Sequence, residues 1–190
     1  MRVITIQHKN VLKTLYQTGE YRVGAKVPVS NNLIKPYEFM MKHYNYKNRP
    51  IFMCPVGYCV NFGGADTNDT YIVELEIPDR YCKIQDYYGW SDFIYFTEMP
   101  YAYEPFHGCD TVEQFGKYIL NMYKDGFACN KDTVYQVTTQ FLRKNWVLKV
   151  VPISDTFINR YVDNGGINVL RSIQSSNGGN QNGQKRRVWW

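Results

Sequence analysis

The first candidate for chemistry is Gln136, a glutamine in a predicted strand whose residues are mostly β-branched or aromatic. It lies in the stretch Asp132–Ser154, whose residue types predict a strand, a tight connection and a second, buried strand. A core strand ordinarily carries valine or threonine at such a position, because a buried amide without partners costs stability. Gln136 therefore either joins a defined hydrogen-bond network or lines a pocket. On residue type alone, a structural or solvent-facing glutamine is the more common case.

A pair of carboxylates is the second candidate. The alternating pattern from Tyr71 to Pro78 predicts a strand that points Glu74 and Glu76 to one side. Two carboxylates on one strand face can serve as general acid and base. A solvated strand face is the more common meaning of such a pattern. The residues predicted to point inward are Val73, Leu75 and Ile77.

Recognised catalytic and metal-binding motifs are absent from the sequence. It has no glycine-rich phosphate loop, no nucleophile elbow and no zinc-protease helix. The five cysteines share no Cys-x-x-Cys spacing, and the three histidines lie at no ligand-like distance from them, so we expect no metal site. A Cys–His nucleophile pair stays open, since its members need not be close in sequence. We expect reduced cysteines and a cytoplasmic protein.

Composition and charge bound the class of protein. A chain of 190 residues with 44% hydrophobic residues suffices for one compact domain. Of the net charge of +5, +3 falls in residues 172–190, which leaves +2 for residues 1–171. A nearly neutral body argues against a surface that follows a long nucleic-acid duplex. No apolar run approaches the roughly 20 residues of a membrane span, so we expect no membrane association.

The elements that must position these residues alternate between strands and helices. A strand over residues 2–7 leads into a helix over 8–17 that Gly19 ends. Pro36 suits the first turn of a second helix, and a strand over 49–56, bounded by prolines, suits a sheet edge. Residues 79–96 are dense in aromatic and acidic residues and predict a loop. Thr111 and Gln114 form a capping box at the start of a helix that continues to about residue 124.

Two regions follow from this order of elements. Residues 1–172 are predicted to form a single α+β domain. Residues 173–190 are predicted to form a disordered tail, because they are rich in Ser, Asn, Gly and Gln before a basic and aromatic end. That end, Lys185–Trp190, has the composition of a segment that adheres to an acidic or apolar partner, and equally that of a solvated terminus.

Several short motifs resemble a known family when taken together. They are Thr5-Ile-Gln7, Gly19-x-Tyr21-Arg22, Pro36-Tyr-Glu-Phe-Met-Met41, Pro50-Ile-Phe52, Glu74-Leu-Glu-Ile-Pro-Asp79, and Tyr135-Gln-Val-Thr138 with Trp146-Val147. The set resembles a family of small bacterial and phage proteins whose function is uncharacterised. Where that family usually has Trp, this chain has Phe52, and Asp86–Trp90 matches a further family segment only loosely. The likeness extends over roughly residues 1–153.

That family in turn resembles, more distantly, ADP-ribosyltransferases of toxin–antitoxin and phage-defence systems. The resemblance implies two small mixed or antiparallel sheets that form a cleft flanked by helices, with NAD held in the cleft. It implies that Thr5 and Gln7 contact the nicotinamide or adenine side, and that Tyr21 and Arg22 contact the phosphates. Gln136 would contact the ribose. An aromatic residue would hold the ring, and the candidates are Tyr37, Tyr88 and Trp90.

The resemblance leaves the reaction open at one position. Such transferases carry a glutamate where this chain has Gln136, and an amide cannot offer negative charge to a cationic transition state. Either a carboxylate such as Glu76 or Glu74 substitutes, or the chemistry differs, or the site only binds. The sequence therefore predicts either an NAD-dependent transferase acting on a macromolecule, or a non-catalytic module of the same fold. Such a module would recognise a nucleotide, a nucleic acid or a partner protein such as an antitoxin.

Overall fold

The computed structural model of the chain describes residues 1–24, 27–56, 69–99, 107–124 and 133–153. Within these ranges the protein has four α-helices, a six-stranded sheet and a two-stranded sheet, which confirms the predicted α+β class. Its larger sheet is antiparallel at every pairing. The two sheets are unequal in size, and the expected cleft between two small sheets is not confirmed. The predicted tail, residues 173–190, lies outside the described residues.

The strands and helices are numbered in chain order. The strands are β1 (Arg2–His8), β2 (Glu20–Tyr21), β3 (Ile51–Pro55), β4 (Thr70–Glu76), β5 (Lys83–Asp86), β6 (Tyr135–Thr139), β7 (Leu142–Arg143) and β8 (Val147–Pro152). The helices are α1 (Lys9–Thr18), α2 (Asn31–Tyr44), α3 (Tyr87–Glu98) and α4 (Val112–Asn121).

The order of strands in the large sheet is β5-β6-β3-β1-β4-β8, and the small sheet pairs β2 with β7. The predicted edge position of β3 is wrong, because β3 pairs with β1 on one side and β6 on the other. Pro50 precedes the strand and Pro55 is its last residue, so the residues between them keep the N–H groups that pairing requires. The strand β8, predicted to be buried, is instead an edge strand of the described sheet on which Leu148 is 51% exposed.

Apolar side chains form two cores, one on each face of the sheet. The first core joins β1, β3, β4, β5 and β6 to α1 through Leu12 and Leu15, and it includes Val73, Leu75 and Ile77, which point inward as predicted. The second core lies under α2, α3 and α4 and is built largely from aromatic and branched side chains. Its fully enclosed members include Met40, Phe93 and Phe115.

Local sequence signals explain most helix ends. The helix α1 ends at Gly19, whose φ of 81° lies in the left-handed region that glycine adopts without steric cost. At the start of α4, Thr111 accepts from the backbone N–H of Gln114 and the Gln114 side chain accepts from the backbone N–H of Thr111, so the capping box is confirmed. The helix α2 begins at Asn31, earlier than predicted, and Pro36 lies inside it.

The loop predicted over residues 79–96 is wrong. This segment contains a 3-10 turn over Asp79–Tyr81, the strand β5 and most of α3. The Asp86 side chain accepts a hydrogen bond from the backbone N–H of Gly89, which caps the first turn of α3. Trp90 and Phe93 are buried three residues apart, which is helical spacing. The density of aromatic residues therefore reflects a helix that supplies the second core.

Candidate functional site

Gln136 is buried on the face of the large sheet that α2, α3 and α4 cover. It pairs across the strands with Gln85 of β5, and the two residues are 3% and 0% exposed. Residues that are directly opposite each other in antiparallel strands project to the same face. The Gln85 Nε2 atom donates to the Tyr44 hydroxyl at 3.0 Å, and that hydroxyl donates to the Leu120 carbonyl oxygen at 2.7 Å. Both glutamines therefore face α2 and α4.

The two amides are satisfied to different extents. Gln85 Nε2 also donates to Thr138 Oγ1 at 3.0 Å, and the Tyr46 hydroxyl donates to the Thr138 carbonyl oxygen at 3.2 Å. Among the described residues, Gln136 Nε2 and Gln85 Oε1 are buried without a hydrogen-bond partner. Both glutamines are nevertheless enclosed by the core, and this burial favours a structural glutamine at position 136 over a ligand contact.

This difference predicts unequal losses of stability when each glutamine is replaced by methionine. Gln136→Met should change the free energy of unfolding by less than about 1 kcal/mol, because it removes a buried donor that has no partner. Gln85→Met should destabilise by about 1–2 kcal/mol, because two hydroxyl oxygens lose their donor. Urea unfolding of both variants measures the difference. A larger loss for Gln136→Met would mean that its amide has a partner.

Thr5 and Gln7 lie on the opposite face of the sheet. Thr5 pairs with Val73, a member of the core that α1 covers, and Val137 belongs to that same core. Because side chains alternate along β6, Gln136 points away from that core. Thr5 Oγ1 donates to a backbone carbonyl of β3 at 2.9 Å, and Gln7 Nε2 donates to Thr5 Oγ1 at 2.8 Å. The structure therefore does not bring Gln136 together with Thr5 and Gln7.

The two predicted carboxylates also lie away from Gln136. Glu74 forms an ion pair with Arg2, and Glu76 lies at the exposed end of β4 as the cross-strand partner of Arg2. The strands β3 and β1 separate β4 from β6, so β4 and β6 are three strand spacings, or about 14 Å, apart. Neither carboxylate is placed to assist chemistry at Gln136.

The aromatic residues predicted to hold a ring are mostly structural. Tyr37 and Trp90 are 7% and 3% exposed, and the Phe52 ring lies between them at centroid distances of 5.6 Å and 6.4 Å. Burial raises the pKa of Tyr37 to about 12, although the positive charge of Arg49 acts in the opposite direction. Tyr88 is exposed on the surface of α3. Tyr37 and Trp90 therefore serve the second core.

Arg22, by contrast, lies in a cluster of charges on the small sheet. Tyr21 packs against the first core, while Arg22 and Glu20, two residues apart, project outward. Glu20 pairs across the strands with Arg143 of β7. Arg22 Nε donates to Glu20 Oε1 at 2.7 Å, and Arg143 Nε donates to Glu20 Oε2 at 3.2 Å. One carboxylate thus holds two guanidinium groups side by side.

Three aromatic rings lie beneath these guanidinium groups and contact one another. The centroid of Tyr81 is 5.3 Å from Phe141 and 5.4 Å from Trp146, and those two rings are 5.3 Å apart. Phe141 and Trp146 are buried, whereas Tyr81 is half-buried. Such distances are those of offset and edge contacts between aromatic rings. The rings provide a rigid floor that belongs to the first core.

Three arginines cover this floor. The guanidinium carbon of Arg22 is 4.7 Å from the Phe141 centroid, and that of Arg80 is 4.9 Å from the Tyr81 centroid. Arg143 contacts all three rings, at 5.0, 5.6 and 5.8 Å from Phe141, Trp146 and Tyr81. These are cation–π distances. We name the arginine–aromatic surface by its seven residues, Glu20, Arg22, Arg80, Tyr81, Phe141, Arg143 and Trp146.

The electrostatics of this surface favour negative charge. Partial burial opposes ionisation of Glu20, yet the hydrogen bonds and positive charges of Arg143 and Arg22 together hold its pKa below the ordinary value. The hydrogen bond and the charge of Arg80 lower the pKa of the Tyr81 hydroxyl, and Arg143 acts in the same direction. The Glu20 carboxyl and the Tyr81 hydroxyl both ionise more readily here than in water, because positive charge surrounds them. The same positive charge would attract an anionic ligand.

Sequence reasoning identified Tyr21 and Arg22 but missed the other arginines and the ring floor. The sequence pattern predicts the end of a strand and a connection over residues 141–145, the start of the next strand at Trp146, and a loop that includes residues 79–81. Only the long-range pairing of β2 with β7 brings Arg143 to Glu20. The available signal was the composition Phe-x-Arg-x-x-Trp over residues 141–146, which places an arginine between two rings.

Comparison with known proteins does not identify a family. The chain matches no family model, no curated protein and no solved structure. Among the described residues, no helix is long and apolar enough to cross a membrane, and no group of His, Cys, Asp and Glu side chains is arranged to hold a metal ion. The cysteines in the described part of the chain, Cys54, Cys82 and Cys109, are buried, and burial raises the pKa of Cys82 to about 11.

Proposed function

We propose that this protein binds short single-stranded nucleic acid through the arginine–aromatic surface. The observation that carries the proposal is Arg143, whose guanidinium lies over three rings while Glu20 holds it beside Arg22. This is the non-catalytic, nucleic-acid-binding alternative among the functions that the sequence predicts.

Fixed guanidinium groups suit this ligand in two ways. Each guanidinium is planar, so a base can stack on the face that is turned away from the ring. Each also carries five N–H donors, more than the two carboxylate oxygens of Glu20 can occupy, and its edge matches a phosphate in bidentate geometry. The Arg22 and Arg143 side chains are 42% and 43% exposed, so solvent and ligands reach them.

The amount of charge favours a short single strand over a long duplex. Lys144 follows Arg143 in the chain and adds a further positive charge, with its ammonium 5.5 Å from the Tyr16 ring of α1. Glu20 and the exposed Asp79 offset part of this charge. A few cations on one small surface match the phosphates of a few nucleotides, whereas a duplex rewards a longer basic stripe.

The transferase alternative has less support from the geometry. It requires Gln136, Thr5 and Gln7 around one NAD, and these residues lie on opposite faces of the sheet. It also requires a carboxylate near Gln136. The strand of Glu76, β4, lies three strand spacings from β6, the strand of Gln136. We therefore use NAD only as a competitor of the oligonucleotides in the binding assay, and not as a proposed substrate.

Fluorescence anisotropy with labelled 12-mers of deoxythymidine and of uridine tests the proposal. We expect micromolar affinity, with binding that weakens on the order of tenfold between 50 and 200 mM NaCl, because about three phosphates are neutralised. NAD and thymidine monophosphate should compete weakly, since each offers few phosphates and bases. Arg22→Gln should weaken binding several-fold.

A matched variant tests whether oligonucleotide binding depends on this surface or only on the total positive charge of the protein. Lys117→Gln removes one positive charge from α4, on the other side of the sheet, and should leave oligonucleotide binding within twofold of the wild type. Equal losses for Arg22→Gln and Lys117→Gln would contradict a defined site. Binding that ignores both substitutions would contradict the proposal entirely.

A further inference from the structure

A groove with an apolar floor runs between the three helices on the opposite side of the sheet from the arginine–aromatic surface. It encloses about 580 Å³, within the range typical of small-molecule sites. Its lining residues come from one stripe of α2, from the second half of α3 and from the first two turns of α4. They are Lys35, Phe39, Lys42, His43, Phe93, Phe96, Thr97, Val112, Glu113 and Lys117.

The floor of the groove depends on a glycine. Phe39 and Phe93 lie 4.9 Å apart by ring centroid and pack directly on Gly116 of α4. A Cβ atom at this position would lie 2.4 Å from Phe93 and 2.8 Å from Phe39, so any other residue would push the rings out of place. Phe96 extends the floor by an edge contact with Phe115 at 6.0 Å. The result is an apolar floor of tilted aromatic rings that lies on top of the second core.

The rim of the groove is positively charged. Lys35, Lys42 and Lys117 line it together with a single acid, Glu113, which gives a net charge of +2 with His43 neutral. The Lys117 ammonium is 2.9 Å from the Glu113 carboxylate. The hydrogen bond and charge of Lys117, and then the charge of Lys42, lower the pKa of Glu113. Both lysines are therefore close to the same edge of the groove.

We propose that this groove binds a small aromatic anion, with its flat apolar body on the phenylalanine floor and its carboxylate, phosphate or sulfonate at the lysine rim. The volume admits such a ligand, the aromatic floor offers an apolar surface to its ring, and the excess of ammonium groups complements the anionic head. The site is separate from the arginine–aromatic surface and does not depend on the function proposed for that surface.

Two fluorescent probes of nearly equal shape separate the contribution of charge from that of the apolar floor. They are 1-anilinonaphthalene-8-sulfonate, an aromatic anion, and N-phenyl-1-naphthylamine, its uncharged analogue. We expect the anionic probe to bind with 1:1 stoichiometry and at least threefold more tightly than the uncharged one. Lys42→Gln and Lys117→Gln should each weaken the anionic probe about 3–10-fold and leave the uncharged probe within twofold.

Further variants test the position and the sign of the charge. Glu113→Gln should strengthen binding of the anionic probe, because it removes the one acid of the rim. Thr97→Trp, which fills the groove from α3, should abolish binding of both probes. Arg22→Gln, on the other side of the sheet, is the control and should change neither. Each variant is compared only if its thermal unfolding remains cooperative, since a loosened core also binds these probes.

Three results would overturn the inference. Equal affinity for the two probes, unaffected by the lysine substitutions, would indicate an apolar groove that selects no anion. If Arg22→Gln abolished binding of the anionic probe, that probe would bind at the arginine–aromatic surface and not in the groove. Retention of both probes in Thr97→Trp would place them outside the groove.

Discussion

Replacing Arg143 with glutamine should weaken the binding of a 12-nucleotide single strand by about 10–50-fold, the largest loss we expect from any one side chain. Arg143 is the residue whose guanidinium contacts all three rings of the floor. Its loss removes one stacking plane, worth about 1–3 kcal/mol per base, and one phosphate contact. It also leaves Glu20 with only Arg22 to neutralise it, so the remaining surface is less positive.

A conservative variant distinguishes stacking from charge. Arg143→Lys keeps the positive charge but replaces the planar guanidinium with a compact ammonium. We expect it to lose most of the affinity that Arg143→Gln loses, while the salt dependence of binding stays close to that of the wild type. If Arg143→Lys bound as tightly as the wild type, the ring floor would contribute nothing and the surface would act by charge alone.

A substantial loss of stability, comparable to that of Gln85→Met, should come from Gly116→Ala. The added methyl group would lie between Phe93 and Phe39, at 2.4 Å and 2.8 Å, and Phe93 is 1% exposed and enclosed. Overpacking of this kind costs roughly 1–3 kcal/mol and exceeds the gain of up to about 1 kcal/mol in helix propensity from glycine to alanine. We expect a net loss of about 1–2 kcal/mol in the free energy of unfolding, measured by urea denaturation.

Gly24→Ala provides the matched control for this substitution. A Cβ atom at Gly24 would meet only Val27, at an ordinary contact distance of 3.9 Å. Alanine there should leave stability unchanged or raise it by a few tenths of a kcal/mol, because it restricts the unfolded chain. If Gly116→Ala proved as stable as Gly24→Ala, the close packing of the three helices would be incorrect.

Sequence reasoning predicted elements where local signals are strong. The capping box at Thr111, the left-handed Gly19 and the alternation of Val73 and Leu75 each depend on residues within a few positions of one another. The same reasoning failed where tertiary context decides. The apolar run of β8 predicted a buried strand, yet the strand order places it at an edge of the sheet formed by the described residues. Residue type alone carries no information about that order.

The site was less predictable than the fold for a related reason. Gln136 stands out as an amide in a strand of mostly β-branched and aromatic residues. Its cross-strand neighbour is a second glutamine, and neither residue type reveals that pairing. The arginine–aromatic surface is assembled from residues more than a hundred positions apart, such as Glu20 and Arg143. Charges and rings are visible in the sequence, whereas the pairing that stacks them is not.

The most direct test of the central claim is a nuclear magnetic resonance titration of the isotope-labelled protein with a 12-mer of deoxythymidine. We predict that the largest shifts occur in the backbone of residues 20–22, 80–81 and 141–146 and in the side-chain Nε–H signals of Arg22 and Arg143. Signals of the helices α2 and α4 should remain in place. Shifts concentrated on those helices, or no shifts at millimolar oligonucleotide, would contradict the account.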